Sequence, residues 1–461
     1  MSQPVRFGRG RAGNVFKPAH QSCPAVSDKP NYYFVNPLQA ATGVWQGSET
    51  FVEFEVPQTM GILSGATLQF INPSGTAFTG TAPYSGDAGG PYMPPVPYWC
   101  SRIEIYVGAD LIETAYANDI WNELVNFRSL NDVDNYAQLL NADAKGGFVP
   151  TDAKPSSNSG DYFFPVDSTV LRAMKPFVRG FNSKFRYRFY FPPSVAYTVL
   201  NSTTAARVTA NAVGTAVATM NGGSLRMIFE EQSVDPSVTA ELEQAHRTGI
   251  VDYTVIVRER QQDVLTNSTP LQASLTIPLY LRSFRNRSAG IAVYFTDANV
   301  PNGDLGLKWQ FATIQLLDSL GRKLTEILDT EYVASVINAK QITAPILSNT
   351  VPDITQPAVM EGFSTQYVSL LPFSSAFEKT LRDGCIYGNY PFTALEQLQL
   401  VPATGINAQD SVIVTKATSW NGNVASAPVT ATKMVTTTSY SYGHITCSQG
   451  NHSFRLESGG R

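Results

Sequence analysis

Apolar and polar residues alternate along much of this 461-residue chain. Over 49–56, Val52, Phe54 and Val56 fall on one side and Glu53 and Glu55 on the other, the period-two pattern of a strand packed on one face. The same alternation predicts strands over 66–71, 102–107, 185–191, 225–229, 253–257, 275–281, 291–295, 309–316 and 412–415. Helical spacing is confined to a few places. Asn118 can cap a helix with Ile120, Leu124 and Phe127 on one face, and Asp132 another with Val133, Tyr136 and Leu140. Thr325 can cap a third, with Leu328, Tyr332 and Val336 on a stripe beside Val333 and Ile337. Helices that interrupt strands without alternating with them disfavour a parallel βαβ sheet, so the expected class is all-β. Two stretches, 72–98 and 195–223, are dense in Gly, Pro, Ser, Thr or Ala and read as long surface loops.

The order of these elements repeats, and repetition outranks any single motif. Residues 102–113 read strand, glycine turn, strand, followed by the helix around Trp121 and Leu124; residues 313–326 read the same, followed by the helix around Tyr332 and Ile337. Leu111 follows the turn glycine Gly108 at the spacing at which Leu324 follows Gly321, and Leu124 and Ile337 match again. A second pair comes after each. Tyr162-Phe163-Phe164-Pro165 leads through Arg179-Gly180 to the strand that ends at Pro192, and Leu370-Leu371-Pro372-Phe373 leads through Tyr387-Gly388 to the strand that ends at Pro402. Two copies of one β module, about 200 residues each, account for the length.

This order, with Leu371-Pro372-Phe373-Ser374 followed by Gly388 and then Tyr390-Pro391-Phe392-Thr393-Ala394-Leu395, resembles the double jelly-roll major capsid proteins of double-stranded DNA viruses. The likeness is to the kind found in nucleocytoplasmic large DNA viruses, virophages and polinton-like viruses. The chain departs from the family pattern in lacking the second aromatic of the first motif and in having Tyr390-Pro391-Phe392 where an apolar-Pro-Leu is usual. The resemblance implies two tandem eight-stranded jelly rolls with a few short helices in the connections: an arm over 1–30, a first roll over 31–245, a second over 246–450 and a tail over 451–461. It further implies a homotrimer of pseudo-hexagonal outline. Such trimers would tile an icosahedral shell with penton and minor or cement proteins, in a virion assembled inside the host cell. No catalytic residue, cofactor or metal is implied.

Charge refines this expectation. Charged residues make up only 15% of the chain, which suits extensive lateral contacts because interface cores are depleted of charge. A net charge of −4 excludes a generally basic nucleic-acid-coating protein. Before Asp28 there is no acid, while Arg6, Arg9, Arg11 and Lys17 give the arm +4 and leave −8 on the rest. A basic, glycine-containing arm suits an acidic neighbour, an inner membrane or packaged DNA, so these four residues are expected at the inner surface or against a neighbour. Arg282, Arg285 and Arg287 form a second cluster, expected either at a subunit contact or on a solvated turn.

Other candidate chemistry is weaker. Cys23, Cys100, Cys385 and Cys447 form no CxxC pair and read as free thiols. No apolar run reaches the ~18 residues of a membrane span, and no signal-peptide core is present. The glycines from Gly8 to Gly13 fit a GxGxxG pattern but follow no strand and open no helix. His20, His246, His444 and His452 lack metal-ligand spacing. The acid pairs Glu53 with Glu55 and Glu230 with Glu231 read as solvated strand positions. Arg186 and Arg188, between Phe185, Tyr187 and Phe189, are expected to face solvent or a neighbouring subunit. The alternative is a glycan-cleaving enzyme on two jelly rolls, with convergent acids, or a carbohydrate-binding protein using exposed aromatics such as Tyr98 and Trp420.

Overall fold

The computed structural model describes residues 26–39, 44, 48–71, 99–117, 119–120, 123, 162–166, 168–193, 196–200, 207–211, 225–264, 276–297, 311–329, 369–402 and 433–459. The first half contains β1 (Val26–Val35), β2 (Thr50–Glu55), β3 (Ile62–Phe70), β4 (Arg102–Val107), β5 (Asp110–Tyr116), β6 (Tyr162–Pro165), β7 (Phe185–Phe191), β8 (Ala196–Leu200), β9 (Arg207–Asn211) and β10 (Leu225–Val234). Eight of these make two four-stranded antiparallel sheets, β1-β10-β3-β6 and β2-β7-β4-β5. That winding, first strand beside last in one sheet and second beside second-last in the other, is a jelly roll. The remaining two, β8 and β9, pair as a hairpin within the stretch expected to be an unstructured loop.

The second half repeats the winding. Its main strands are β11 (Ile250–Val264), β12 (Ile277–Tyr280), β13 (Arg287–Asp297), β14 (Phe311–Leu317), β15 (Leu328–Asp329), β16 (Ser369–Pro372), β18 (Gln397–Pro402) and β19 (Lys433–Ser448), arranged β11-β19-β13-β16 and β12-β18-β14-β15. Two additions extend the first of these sheets: β17 (Tyr390–Pro391) pairs with β13, and β20 (Asn451–Leu456) with β19. The expected pair of eight-stranded jelly rolls is therefore present.

Side-chain alternation explains the strands. On β7, Phe185, Tyr187, Phe189 and Phe191 are buried while Arg186, Arg188 and Tyr190 are half-buried. Each aromatic so buried contributes about 1.5–3 kcal/mol relative to leaving it exposed. The duplicated hairpins form as the spacing predicts. Gly108 (φ +63°) turns β4 into β5 and Gly321 (φ +74°) turns the chain after β14, conformations that a Cβ would strain. The matched leucines, Leu111 and Leu324, are both exposed.

The helices differ from expectation. Three lie where no helical spacing was singled out: α1 (Thr169–Met174), α2 (Pro236–Thr248) and α3 (Phe377–Asp383). Local capping accounts for two starts. Ser168 Oγ accepts from Leu171 N at 3.0 Å, and Asp235 accepts from Ser237 N at 2.8 Å with Pro236 in the first turn. The expected cap at Thr325 is instead a strand connection, because Thr325 Oγ1 accepts from Leu316 N at 2.9 Å. Leu328 consequently continues the hairpin, opposite Ile314. In the first roll Ala117, Asp119, Ile120 and Glu123 are helical, while Leu124, Phe127, the 132–140 helix, the 72–98 loop and the 412–415 strand lie outside the described residues.

The core is continuous across the rolls. One apolar cluster joins first-roll residues such as Phe54, Phe70, Trp99 and Phe229 to Val251, Tyr253, Val255 and Val257 of β11 and to Ile445 and Cys447 of β19. A second cluster fills the second roll between its sheets, around Ile291, Val293, Leu316 and Leu400. Residues 451–456, within the segment set apart as a tail, form β20, and the turn before it covers the first roll. Asn182 N donates to Gly450 O at 2.8 Å, and His452 bonds Ser183 Oγ at 3.0 Å and Asp110 Oδ2 at 3.1 Å.

Candidate functional site

Where the rolls meet, charged side chains from both are buried together. β11 carries Arg258, only 6% exposed, directly after the buried run Val255-Ile256-Val257. Its Nε and Nη2 donate to the two oxygens of Glu123 at 2.6 Å each, a bidentate pair, and its Nη1 donates to Glu113 Oε1. Glu113, on β5, also accepts from Ser168 Oγ, from Thr169 N at 3.1 Å and from Thr169 Oγ1 at 2.8 Å. Thr169, at the head of α1, is shared across the junction, since its hydroxyl also lies 2.8 Å from Ile256 O on β11. Tyr440 of β19 completes the group by donating to Glu123 Oε1 at 3.0 Å.

A second acid beside it works the same way. Asp119 Oδ1 accepts from Tyr294 OH and Thr438 Oγ1, each at 2.8 Å, and Arg260 lies 3.8 Å from Oδ2 with its guanidinium over the Tyr116 ring. Burial opposes the charge on Arg258, yet Glu123 and then Glu113 raise its pKa above the ordinary guanidinium value. Burial likewise disfavours ionised Glu123, but Arg258 outweighs it and holds the carboxyl below its usual range. Burial, reinforced by Glu123, pushes the Tyr440 phenol well up. Glu123 is thus held ionised, and all three acids are enclosed by donors. The arrangement binds roll to roll in one orientation.

The residues singled out from sequence fall elsewhere. Arg6, Arg9, Arg11 and Lys17 lie outside the described residues, as do Cys23, His20, Tyr98, Trp121 and Trp420. Arg282, Arg285 and Arg287 are all exposed on the turn from β12 into β13. Arg282 and Arg285 line an open groove of about 600 Å³ with Phe392, Thr393, Ala394, Leu395 and Ser458, and Arg282 reaches over the Tyr280 ring. Arg186 and Arg188 do not project freely: both bind Glu53, at 3.0 and 2.8 Å, because antiparallel pairing of β2 with β7 sets that acid opposite Arg188 and diagonal to Arg186 on the same face. Glu55 pairs with Lys184, and Glu231 accepts from Gly61 N and from Tyr33 OH at 2.9 Å. His246 is buried between Leu242 O and Tyr253 OH, and His444 lies between Asp252 and Glu457. Cys100 and Cys447 are buried free thiols, and Cys385 is exposed. Among the described residues no group of acids, histidines and cysteines has the arrangement of a metal site.

The junction itself escaped the sequence reading. One signal was available: Arg258 directly follows the apolar run Val255-Ile256-Val257 in one strand, and a charge that shares a strand with buried positions demands partners.

No family model matches the chain and no curated protein matches it. Its backbone is similar to that of PBCV-1 VP54 as fitted into a reconstruction of the virophage Sputnik, at 12% identity and TM-score 0.61 over 95% of this chain and 99% of that one. It is similar to a chain of the PBCV-1 virus capsid, at 12% identity and TM-score 0.59 over 95% and 99%. A chain of the Sputnik virophage matches at 10% identity and TM-score 0.50, over 99% of this chain and 92% of that one. The chain has the double jelly-roll fold of these virus structures.

Proposed function

We propose that the chain is a structural major capsid protein. It self-associates as a homotrimer of pseudo-hexagonal outline and, with neighbouring trimers, builds the icosahedral shell of a virion; its role is structural rather than catalytic. The observation that carries this reading is the duplicated roll held by a buried charged junction. Two like rolls in fixed orientation allow three chains to place six similar rolls around one axis, and such a block tiles a shell. The likeness in fold to the PBCV-1 capsid supports it. In this reading 31–245 and 246–450 are the two roll domains. Arg6, Arg9, Arg11 and Lys17 reach the inner surface or a neighbour, where an inner membrane, packaged DNA or minor capsid proteins are the partners. Arg282, Arg285 and Arg287, next to exposed Tyr280 and Leu395, meet an adjoining subunit. The strand acids that a glycan-cleaving enzyme would need are engaged: Glu53 with two arginines and Glu231 with a backbone amide and a tyrosine.

Light scattering on the purified chain tests the proposal. A stable species near three times 50.2 kDa, with pseudo-hexagonal particles in negative stain, is expected. A monomer that resists assembly across salt and pH overturns it.

A further inference from the structure

The long strand β19 carries two strands end to end on one side: β13 pairs with residues 433–441, and β20 with residues 443–448. Beyond β13 the sheet continues, with β16 beside 290–293 and β17 beside 287–288. Beyond β20 no strand follows among the described residues. Glu457 N donates to Tyr442 O at 2.8 Å, which marks 457 and 442 as a hydrogen-bonded pair. Bonded pairs alternate along an antiparallel ladder, so Arg455, Ser453 and Asn451 turn their backbone groups to β19. His452, Phe454 and Leu456 turn theirs outward, in a row about 17 Å long.

Proteins blunt such edges with proline, bulges or cover, because an open row of donors and acceptors is a template for another strand. β20 has no proline or glycine, and its pairing with β19 runs without a bulge. One face is packed, since Phe454 and Leu456 rest on the core of the first roll, while Asn451, Ser453 and Arg455 are exposed on the other. The ends of the row differ in charge. Past Leu456 the edge closes, because Arg287 N donates to Glu457 O and Gly459 N to Arg285 O, each at 2.8 Å. Exposed Arg285 and Arg287 therefore stand at that end beside Arg455, while the Glu457 carboxylate is engaged by His444 at 2.6 Å. At the other end Asp110 lies 3.1 Å from His452 Nε2. In the first roll the place after the last strand, β10, is taken by α2.

We propose that the open edge of β20 receives, by strand addition, an extended segment of a different protein that alternates apolar with polar side chains and carries acids at the end beside Arg455, Arg285 and Arg287. A matching row of backbone N–H and C=O groups identifies the occupant as polypeptide, since neither a nucleic acid nor a lipid surface presents one. In strand addition the main chain supplies affinity, and alternate side chains supply specificity. Here the apolar positions of the added strand would continue the packed face of Phe454 and Leu456, and its polar positions the exposed face of Ser453 and Arg455. The three arginines fix its orientation, because acids are favoured at their end and opposed by Asp110 at the other. The slot belongs to a single chain and does not depend on how chains assemble.

Two synthetic peptides test this on the purified full chain: a seven-residue strand alternating valine with threonine and ending in two glutamates, and its counterpart ending in two lysines. By fluorescence anisotropy the acidic peptide is expected to bind about tenfold or more tightly than the basic one. Hydrogen exchange is expected to be fast at the amides of Phe454 and Leu456 in the chain alone and slowed about tenfold or more by the acidic peptide. Arg455→Glu, at an exposed position, is expected to reverse the order of the two peptides. Slow exchange at both amides without peptide overturns the proposal, because the edge is then filled by this chain or a copy of it. Equal affinity for the two peptides, no binding of the acidic one, or binding without protection of 452–456 also overturns it. A monomeric chain that takes the acidic peptide keeps the slot and sinks the capsid reading; a trimer that refuses it does the reverse.

Discussion

The β11 edge and the β1 edge occupy the same place in two copies of one roll, yet they are built from opposite chemistry. β11 presents Arg258 to two buried carboxylates, while β1 presents Tyr32 and Phe34 to solvent. A buried ion pair contributes little net stability over an apolar replacement but penalises any arrangement that leaves a charge unpaired. It therefore suits a contact that is made once, during folding, and must have one geometry. An aromatic face can stand in water until a partner arrives, which suits a contact made later. Duplication supplied the shape; the side chains divided the tasks.

The largest expected effect comes from breaking the ionic side of this comparison. Arg258→Leu leaves Glu113 and Glu123 buried and uncompensated, so it is expected to destabilise the chain by about 3–5 kcal/mol. Phe34→Ala on the equivalent open edge is expected to shift stability of the isolated chain by about 0.5 kcal/mol or less. Denaturant unfolding followed by the fluorescence of the five tryptophans, buried Trp99 among them, measures both, and equal losses would abolish the distinction drawn between the edges.

Next in size is the packing beneath the junction. A Cβ on Gly180 would stand 2.4 Å from the His246 ring, so Gly180→Ala must displace a buried side chain bonded to Tyr253. Overpacking of this kind costs about 1–3 kcal/mol, to be read as a lowered melting temperature. An unchanged melt would show that the ring has room to move.

Acid sharpens the comparison further. Because Arg258 depresses the pKa of Glu123 in the folded chain, stability from that pair is fully present above the unfolded value of about 4.3 and is lost as pH falls through the lower folded value. The melting temperature is accordingly expected to fall below about pH 4 in wild type, with a smaller fall in Glu123→Gln. A wild-type loss already complete between pH 7 and 6 contradicts this assignment.

The smallest effect belongs to the sheet surface. Arg188→Ala removes one of two arginines paired with buried Glu53, whose charge Arg186 still compensates, and is expected to cost about 1 kcal/mol. A loss as large as that of Arg258→Leu would mean that the β2-β7 ladder, not the junction, holds the chain together.

Much of the fold was legible. The alternation in 49–56 and 185–191 marks strands because a sheet face is either buried or not, and that difference is written residue by residue. The hairpins at Gly108 and Gly321 were legible because a positive φ leaves a glycine in the sequence. α2 also carries local signals, Asp235-Pro236 at its start followed by Val238 and Leu242 on one face. The expected cap at Thr325 failed for a tertiary reason: hydrogen bonding to Leu316 draws 324–329 into the sheet, overriding a cap that sequence alone permits, while Tyr332, Val333, Val336 and Ile337 of the expected helix lie outside the described residues.

The sequence by itself determined the strands, their turns and the fact of duplication, because each depends on neighbours a few residues away or on a pattern that recurs. The junction was decided only in three dimensions. Arg258 meets Glu123 across 135 residues and Tyr440 meets Glu123 across 317, and nothing local tells which of these distant side chains will meet. The open β1 edge is the same case in reverse. Only the winding of the roll turns Tyr32 and Phe34 outward, onto the face that its repeat keeps covered.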